Sequence, residues 1–317
     1  MADGILTINV KPVGNACNIR CAYCDIDHAH SEQKQFDILS YQSELSAINS
    51  KINFVHVVFH GGEPLLAPLN LLEKIISCTK SMIPGKCDFQ IQTNGVSLSD
   101  EIISFIKENE CKLSISFDPF EENFRYPRET CIDVKAKIIK AVLSGCNPGI
   151  LSVAHGRNYT YFDKFMKMIS DWGIRYWTLN KIRATPNSNL FLSEDAYLAL
   201  LLKITKIWIE HGVFQRLTIQ PIVDLLSPEE NHSCHFSPNI MKCACFAVFS
   251  GCRMLPHCEH YQNIAQDSFE KCRSCDFFPS CGGGCITDLR DDDFCLSRRH
   301  FFQNLQCLKQ QIGVDKI

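Results

Sequence analysis

The chain holds 317 residues, of which 45% are hydrophobic and 19 are cysteine, with a formal net charge of -3. That length suits one large domain or a large one with a small companion, the charge gives no electrostatic case for nucleic acid or an anionic membrane, and no run of 18 apolar residues marks a membrane span. Met1-Ala2-Asp3-Gly4 lacks the basic and apolar regions of a signal peptide, which predicts a cytoplasmic protein whose many cysteines are not disulfides.

Residues 5–10 read as a first strand that ends just before a cysteine-bearing loop. Strands follow at 54–59, 88–93, 112–117, 149–154 and 175–179, with segments of helical period between them at 69–82, 99–109, 130–143 and 161–172. Such alternation predicts an α/β fold with a parallel sheet and crossover helices. Six units are too few for an eight-fold barrel, so the expectation is an open or partial (β/α)6 TIM-like barrel. A further helix is expected over 193–211. Beyond it, residues 234–295 are crowded with cysteine and poor in apolar runs, a composition that needs metal to hold it together. The boundary is placed near residue 212, dividing 1–212 from 213–317, and 297–312 reads as a closing helix. Cys78, Cys87, Cys111, Cys131, Cys146 and Cys307 lie scattered in helix-like or strand-like segments and read as small buried hydrophobes.

Four motifs carry chemistry. Cys17, Cys21 and Cys24 have the spacing C-x3-C-x2-C directly after strand one, at the carboxyl edge where α/β sheets bind ligands. Three thiolates hold three corners of a four-iron cluster and leave one iron open, whereas a structural cluster or zinc uses four protein ligands. The second motif is Phe59-His60-Gly61-Gly62-Glu63-Pro64, ending strand two. Its glycines allow close approach of a ligand, and Pro64 holds Glu63 extended, which would present a carboxylate and backbone carbonyls to an ammonium group. An ordinary Gly-Pro loop is the competing reading. The third is Ser114-Ile115-Ser116-Phe117-Asp118 with Arg128 twelve residues after Ser116; a hydroxyl and a guanidinium can hold a carboxylate, although a capping Ser and a solvated Arg account for the same residues. The fourth is Cys272-Arg273-Ser274-Cys275, then Cys281, Cys285 and Cys295. A C-x2-C pair alone would suggest a zinc knuckle.

The first three, with Gln92-Thr93-Asn94-Gly95 after strand three, each sit at a strand end and in order resemble the radical S-adenosylmethionine (SAM) superfamily across residues 5–180. The resemblance implies that Cys17, Cys21 and Cys24 ligate a 4Fe-4S cluster whose open iron is chelated by SAM. It implies further that Gly61, Gly62 and Glu63 meet the methionyl amine and Arg128 the carboxylate. Ser116 would lie near the ribose or carboxylate, Tyr23 near the adenine, and Thr93, Asn94 and Asp118 would complete the SAM site.

Behind such a domain the C-terminal cysteines resemble a SPASM auxiliary-cluster domain, which implies two more 4Fe-4S clusters, three in all. Cys272, Cys275, Cys281 and Cys295 would hold the second auxiliary cluster. Cys243, Cys258 and Cys285 would hold the first, with Cys234 as fourth ligand and Cys245, Cys252 or an open site as rivals. Arg253 stands where that pattern has a glycine, five residues before Cys258, with Gly251 two places earlier. Glu259 directly follows Cys258, where the anaerobic sulfatase-maturating relatives carry an acidic residue proposed as the base; a solvated Glu is the plainer reading. Histidines 28, 30, 232, 235 and 257 neighbour cysteines and read as supporting or surface residues.

The resemblance implies an enzyme in which a 5′-deoxyadenosyl radical, formed by one-electron cleavage of SAM, takes hydrogen from a side chain of a ribosomally made precursor peptide and leaves an oxidative cross-link. A flavodoxin- or ferredoxin-type reductant is implied. With four residues ahead of strand one, no leader-binding domain is expected, so the barrel mouth or a separate leader-binding protein would recognise the peptide. The alternatives are a formylglycine-generating, anaerobic sulfatase-maturating enzyme and, in another class, a non-catalytic zinc-binding module, which would leave the N-terminal triad and Gly-Gly-Glu-Pro unexplained.

Overall fold

The structure, a computed structural model, describes residues 5–24, 35–48, 52–120, 124, 125, 127–183, 188–226, 246–256, 272, 274–282 and 292–312. In chain order the elements are β1 (Ile5–Lys11), α1 (Ile38–Ile48), β2 (Phe54–Phe59), α2 (Leu69–Met82), β3 (Cys87–Thr93), α3 (Asp100–Glu108), β4 (Lys112–Ser116), α4 (Arg128–Leu143), β5 (Gly149–Ala154), α5 (Phe162–Asp171), β6 (Tyr176–Lys181), α6 (Glu194–Glu210), β7 (Thr218–Gln220), α7 (Ile222–Leu226), β8 (Phe246–Ser250), β9 (Arg253–Pro256), α8 (Phe278–Cys281) and α9 (Asp292–Ile312). They form two compact units, one of residues 1–117, 125–148 and 241–261, the other of 118–124, 149–240 and 262–317. The units interleave along the chain, and the expected boundary near residue 212 falls inside the second.

In the first unit the strand order is β4-β3-β2-β1-β8-β9. β1 to β4 are parallel, with Ile8 opposite Val57, Val57 opposite Phe89 and Ile91 opposite Leu113. Val55, Val57, Val58 and Phe59 of β2 are all buried, the near-continuous apolar run of a strand covered on both faces. Helices return the chain between strands. α3 is a clear case: Ser99 caps it by accepting from Ile102 N, and Asp100 and Glu101 in its first turn match the helix dipole. Because the strands run the same way, the loops after β1, β2, β3 and β4 all leave one edge, and these loops carry the N-terminal motifs.

The hairpin β8-β9 is the main departure from the expected pattern. It lies within the cysteine-rich stretch read as too apolar-poor for a core, yet Phe246–Ser250 pairs in parallel with β1, from Thr7 opposite Phe246 to Lys11 opposite Ser250. Ala247, Val248 and Phe249 are buried. Phe249 packs on Phe36 and Tyr41 with ring centroids 5.0 Å from each, and the Gly251 carbonyl accepts from Asp37 N at 2.9 Å. α1, which the periodicity did not single out, covers this hairpin. The cysteines on either side, Cys245 and Cys252, masked a five-residue apolar strand whose partner was β1, a pairing that sequence periodicity cannot reveal.

In the second unit β5, β6 and β7 are parallel and in order. Trp177 of β6 stacks on Phe162 of α5 and donates its Nε1–H to Ser152 Oγ at 3.1 Å, so the buried indole has both its apolar and its polar partner. α6, capped by Ser193 on Ala196 N, packs against α9, which starts five residues before the expected closing helix and buries Phe294, Phe301, Phe302 and Leu305.

A test of the α1 packing follows from Tyr41, which is fully buried. Thr79 Oγ1 already donates to Ile75 O at 2.8 Å, so in the 2.9 Å bond between the two hydroxyls the tyrosine is the donor. Burial pushes the Tyr41 phenol above its ordinary value and keeps that proton in place. Tyr41→Phe removes one bond without stranding the threonine proton and should cost about 0.5–1.5 kcal/mol in urea unfolding. An unchanged midpoint would show that the bond contributes nothing.

Candidate active site

The cysteine loop leaves β1 through a tight turn: Gly14 N donates to Lys11 O at 3.2 Å with Gly14 at φ 62, and Ala16 N to Val13 O at 3.3 Å. A second turn brings Cys24 N onto Cys21 O at 3.1 Å. Cys17, Cys21 and Cys24 are all partly accessible thiols.

The Gly-Gly-Glu-Pro loop is zipped to this turn. His60 N donates to Val10 O, Gly62 N to Gly14 O at 3.1 Å and Glu63 N to Ala16 O at 2.8 Å. The two backbones approach so closely that a Cβ on Gly62 would lie 2.0 Å from Ala16 O, and one on Gly61, at φ 106, would lie 2.4 Å from Gly14 O. These glycines therefore serve first to seat the cysteine loop. The Gly62 N–H is spent on that loop, and a ligand ammonium, itself a donor, would be met by carbonyl oxygens.

Glu63 is extended at φ -129, as a residue before proline should be. Its carboxylate is not presented to a ligand, however. It is wholly buried and accepts three hydrogen bonds: Oε1 from Thr93 Oγ1 at 2.7 Å and from Leu65 N at 3.0 Å, and Oε2 from Asn94 N at 2.7 Å. Burial lifts this carboxyl above its usual range, while those donors and the nearby Arg125 guanidinium pull the other way. The physical reason for the correction is supply of donors: the loop after β3 offers an N–H and a hydroxyl at the point where Glu63 leaves β2.

Asn94 carries the connection onward. Its Nδ2 donates to Asn18 Oδ1 at 2.7 Å and to Cys17 Sγ at 3.8 Å, and its Oδ1 accepts from Val96 N. Thr93 Oγ1 accepts from Gly95 N while donating to Glu63. Thr93 and Asn94 thus act on the cysteine loop through Glu63 and Asn18.

The guanidinium at this site belongs to Arg125. It is buried, its Nη1 donates to Cys21 Sγ at 3.8 Å, and it lies 5.3 Å from the centroid of the Tyr23 ring. Arg128, the residue expected here, opens α4 behind the cap residue Pro127; its side chain lies outside the described residues. Spacing alone did not separate two arginines three residues apart.

Ser116 ends β4 and is buried. Asp118, in the second unit, is fully buried and accepts from Val153 N at 2.9 Å, so one of its oxygens is committed to the β5 backbone rather than to a ligand.

Of the C-terminal cysteines, Cys272, Cys275, Cys281 and Cys295 are described. Cys275 N donates to Cys272 O at 3.0 Å, Cys281 ends α8 ahead of left-handed Gly282, and Cys295 is exposed on α9. Cys234, Cys243, Cys258, Cys285 and Glu259 lie outside the described residues. Among the described residues no three His, Cys, Asp or Glu side chains close around a single-ion position. Of the scattered cysteines, Cys111 and Cys131 are buried, Cys78, Cys87 and Cys146 half-buried, but Cys307 is exposed, which corrects its reading as a core residue. Burial pushes the Cys111 thiol up to about 12 and raises Cys78, Cys87 and Cys146, which keeps these four protonated and poor metal ligands.

The loop has what a cluster with three protein ligands needs. Three thiols share one short loop, and N–H donors from Asn94 and Arg125 reach two of the sulfurs, as donors around cluster ligands do. Comparison with known proteins agrees. The model of the Radical SAM superfamily matches residues 12–169, about half of the chain. A cysteine-type anaerobic sulfatase-maturating enzyme of Clostridium novyi is 23% identical over 94% of this chain and 94% of its own length. Among solved structures, native anSMEcpe with bound AdoMet and Kp18Cys peptide covers 99% of this chain and 100% of its own with a TM-score of 0.81 at 21% identity. Streptococcus suis SuiB bound to precursor peptide SuiA covers 93% of this chain and 70% of its own with a TM-score of 0.60 at 15% identity. The chain belongs to the radical SAM superfamily and is an enzyme with its α/β, partial-barrel fold.

Glu63→Gln tests the buried knot. It places an NH2 donor against one of three N–H or O–H donors and should cost about 1–3 kcal/mol in chemical denaturation, with loss of iron from the N-terminal cluster. Unchanged stability and iron would mean that the knot does not hold the loop.

Proposed function

We propose that this enzyme oxidises a side-chain carbon of a peptide substrate and that, in a ribosomally made precursor, the product is an intramolecular cross-link. The observation that carries the reading is the pinned three-thiol loop, with donors on two sulfurs and the loops after β2 and β3 packed behind it. Cys17, Cys21 and Cys24 would hold a 4Fe-4S cluster; when bound with SAM, it supplies the electron that cleaves the sulfonium and so starts hydrogen abstraction. The protein's part is geometric and electrostatic. Carbonyls of the Gly61-Gly62 loop would receive the methionyl amine. Arg125 or Arg128 would pair with its carboxylate; the Arg125 guanidinium lies 5.3 Å from the Tyr23 ring centroid and donates to Cys21 Sγ. Ser116 would line the same strand edge.

The peptide assignment is supported by what the similar structures contain, a Kp18Cys peptide in one and precursor peptide SuiA in the other. Cys234, Cys243, Cys258 and Cys285, and Cys272, Cys275, Cys281 and Cys295, are assigned to two auxiliary clusters in a C-terminal SPASM domain. These would take up the electron left on the oxidised substrate, with Glu259 as proton acceptor. A flavodoxin- or ferredoxin-type protein would supply reducing equivalents, and a separate leader-binding protein could deliver the peptide. A second reading, maturation of a sulfatase Cys or Ser to formylglycine, is favoured by one specific observation, the match to a sulfatase-maturating enzyme across nearly the full length of both chains.

Anaerobically reconstituted protein should hold about 12 iron per chain, from three four-iron clusters; a content near one cluster would remove the auxiliary assignment. Replacing Cys17, Cys21 and Cys24 together by Ala should abolish 5′-deoxyadenosine formation and leave the remaining iron bound, and persistent SAM cleavage would overturn the site. Mass spectrometry of a co-expressed candidate peptide separates the two products. A cross-link removes two hydrogens and leaves no carbonyl, whereas formylglycine is an aldehyde that a hydrazide probe captures.

A further inference from the structure

In the second unit a buried ionic group joins three helices. Arg298 of α9 is 2% exposed, and its Nε donates to Glu194 Oε1 at 2.8 Å in the first turn of α6. Glu194 Oε2 accepts from Lys181 Nζ at 2.7 Å at the end of β6. The other arm of the guanidinium reaches α8: Nη1 donates to Cys281 O at 3.1 Å and to Cys281 Sγ at 3.5 Å. Phe294 lies against the guanidinium, 4.6 Å from ring centroid to its carbon, and fixes its plane.

The charges suggest what this group is for. Removing a guanidinium from water is costly unless anions meet it. Glu194 meets both Lys181 and Arg298. On its other arm the guanidinium meets Cys281, and a cluster ligand at that sulfur would set negative charge at the atom toward which Nη1 points. The planar fork of arginine engages the carboxylate with one edge and the cysteine with another; lysine could not do both.

We infer that Arg298 is a positioning residue for an auxiliary iron-sulfur cluster: it fixes the Cys281 ligand against α6 and raises the reduction potential of that cluster by hydrogen bonding to its thiolate. The inference rests on the reading of Cys281 as a cluster ligand made above. A positive donor on a ligand sulfur stabilises the reduced, more negative state, which moves the potential upward. Glu194 and Lys181 set the orientation of the guanidinium and act through it.

The test uses the full chain carrying Cys17→Ala, Cys21→Ala and Cys24→Ala, in which the N-terminal cluster and its neighbour Arg125 are silent. An anaerobic redox titration followed by electron paramagnetic resonance should show one auxiliary signal whose midpoint falls in Arg298→Gln and falls less in Arg298→Lys. The same protein with Arg298 intact, grown on arginine labelled with 15N in the guanidinium alone and reduced, should show a nitrogen coupling to that signal. This second readout needs no variant at position 298 and decides the matter should Arg298→Gln fail to fold. Bound auxiliary iron with equal midpoints in all three proteins and no nitrogen coupling overturns the inference alone. A triple-alanine protein that binds no iron overturns the auxiliary-cluster reading and the inference with it.

Discussion

The N-terminal site depends on one buried carboxylate. Glu63 accepts a hydroxyl proton from Thr93 and backbone protons from Asn94 and Leu65, and its own N–H goes to Ala16 in the cysteine loop. Four consecutive interactions thus tie the loops after β1, β2 and β3 into one body. Alone, a loop with three thiols would have many conformations, and a cluster would have to supply the energy to order it. Here the ordering is built into backbone contacts. Two glycines are required for a steric reason, since a Cβ at either would enter the turn around Gly14 and Ala16.

Charge placement completes the picture. Two sulfurs of the loop accept from Asn94 and Arg125, and Arg125 lies within reach of both Tyr23 and the field of Glu63. The same device recurs in the second unit, where Arg298 meets Cys281 with Glu194 as counter-charge. In each case a buried guanidinium donates to a cysteine sulfur, and in the second it is also paired with a glutamate.

Much of this was legible in the sequence. The parallel alternation through β6 was visible because buried strands such as 54–59 are apolar apart from His56 and the helices between them keep their period. The site's cysteines, and the Gly-Gly-Glu-Pro and Thr-Asn-Gly turns, were visible because their spacing is local. What escaped was non-local. β8 joins β1 across more than two hundred residues of sequence, and its flanking cysteines hid it. The inward turn of Glu63 depends on donors thirty residues away, which no motif records. The bond from Val153 N to one oxygen of Asp118 is likewise invisible in the strand-end motif. Arg125 lies ahead of Pro127 and Arg128 opens α4, and spacing alone named only the second.

The central claim is an iron position at the Cys17, Cys21, Cys24 loop that carries no protein ligand and accepts SAM. Electron paramagnetic resonance of the anoxically reduced enzyme, recorded before and after SAM is added, tests it most directly. The account predicts that the signal lost in the triple-alanine variant changes its g values on addition of SAM, while the auxiliary signals do not. A spectrum that stays the same at saturating SAM would contradict it.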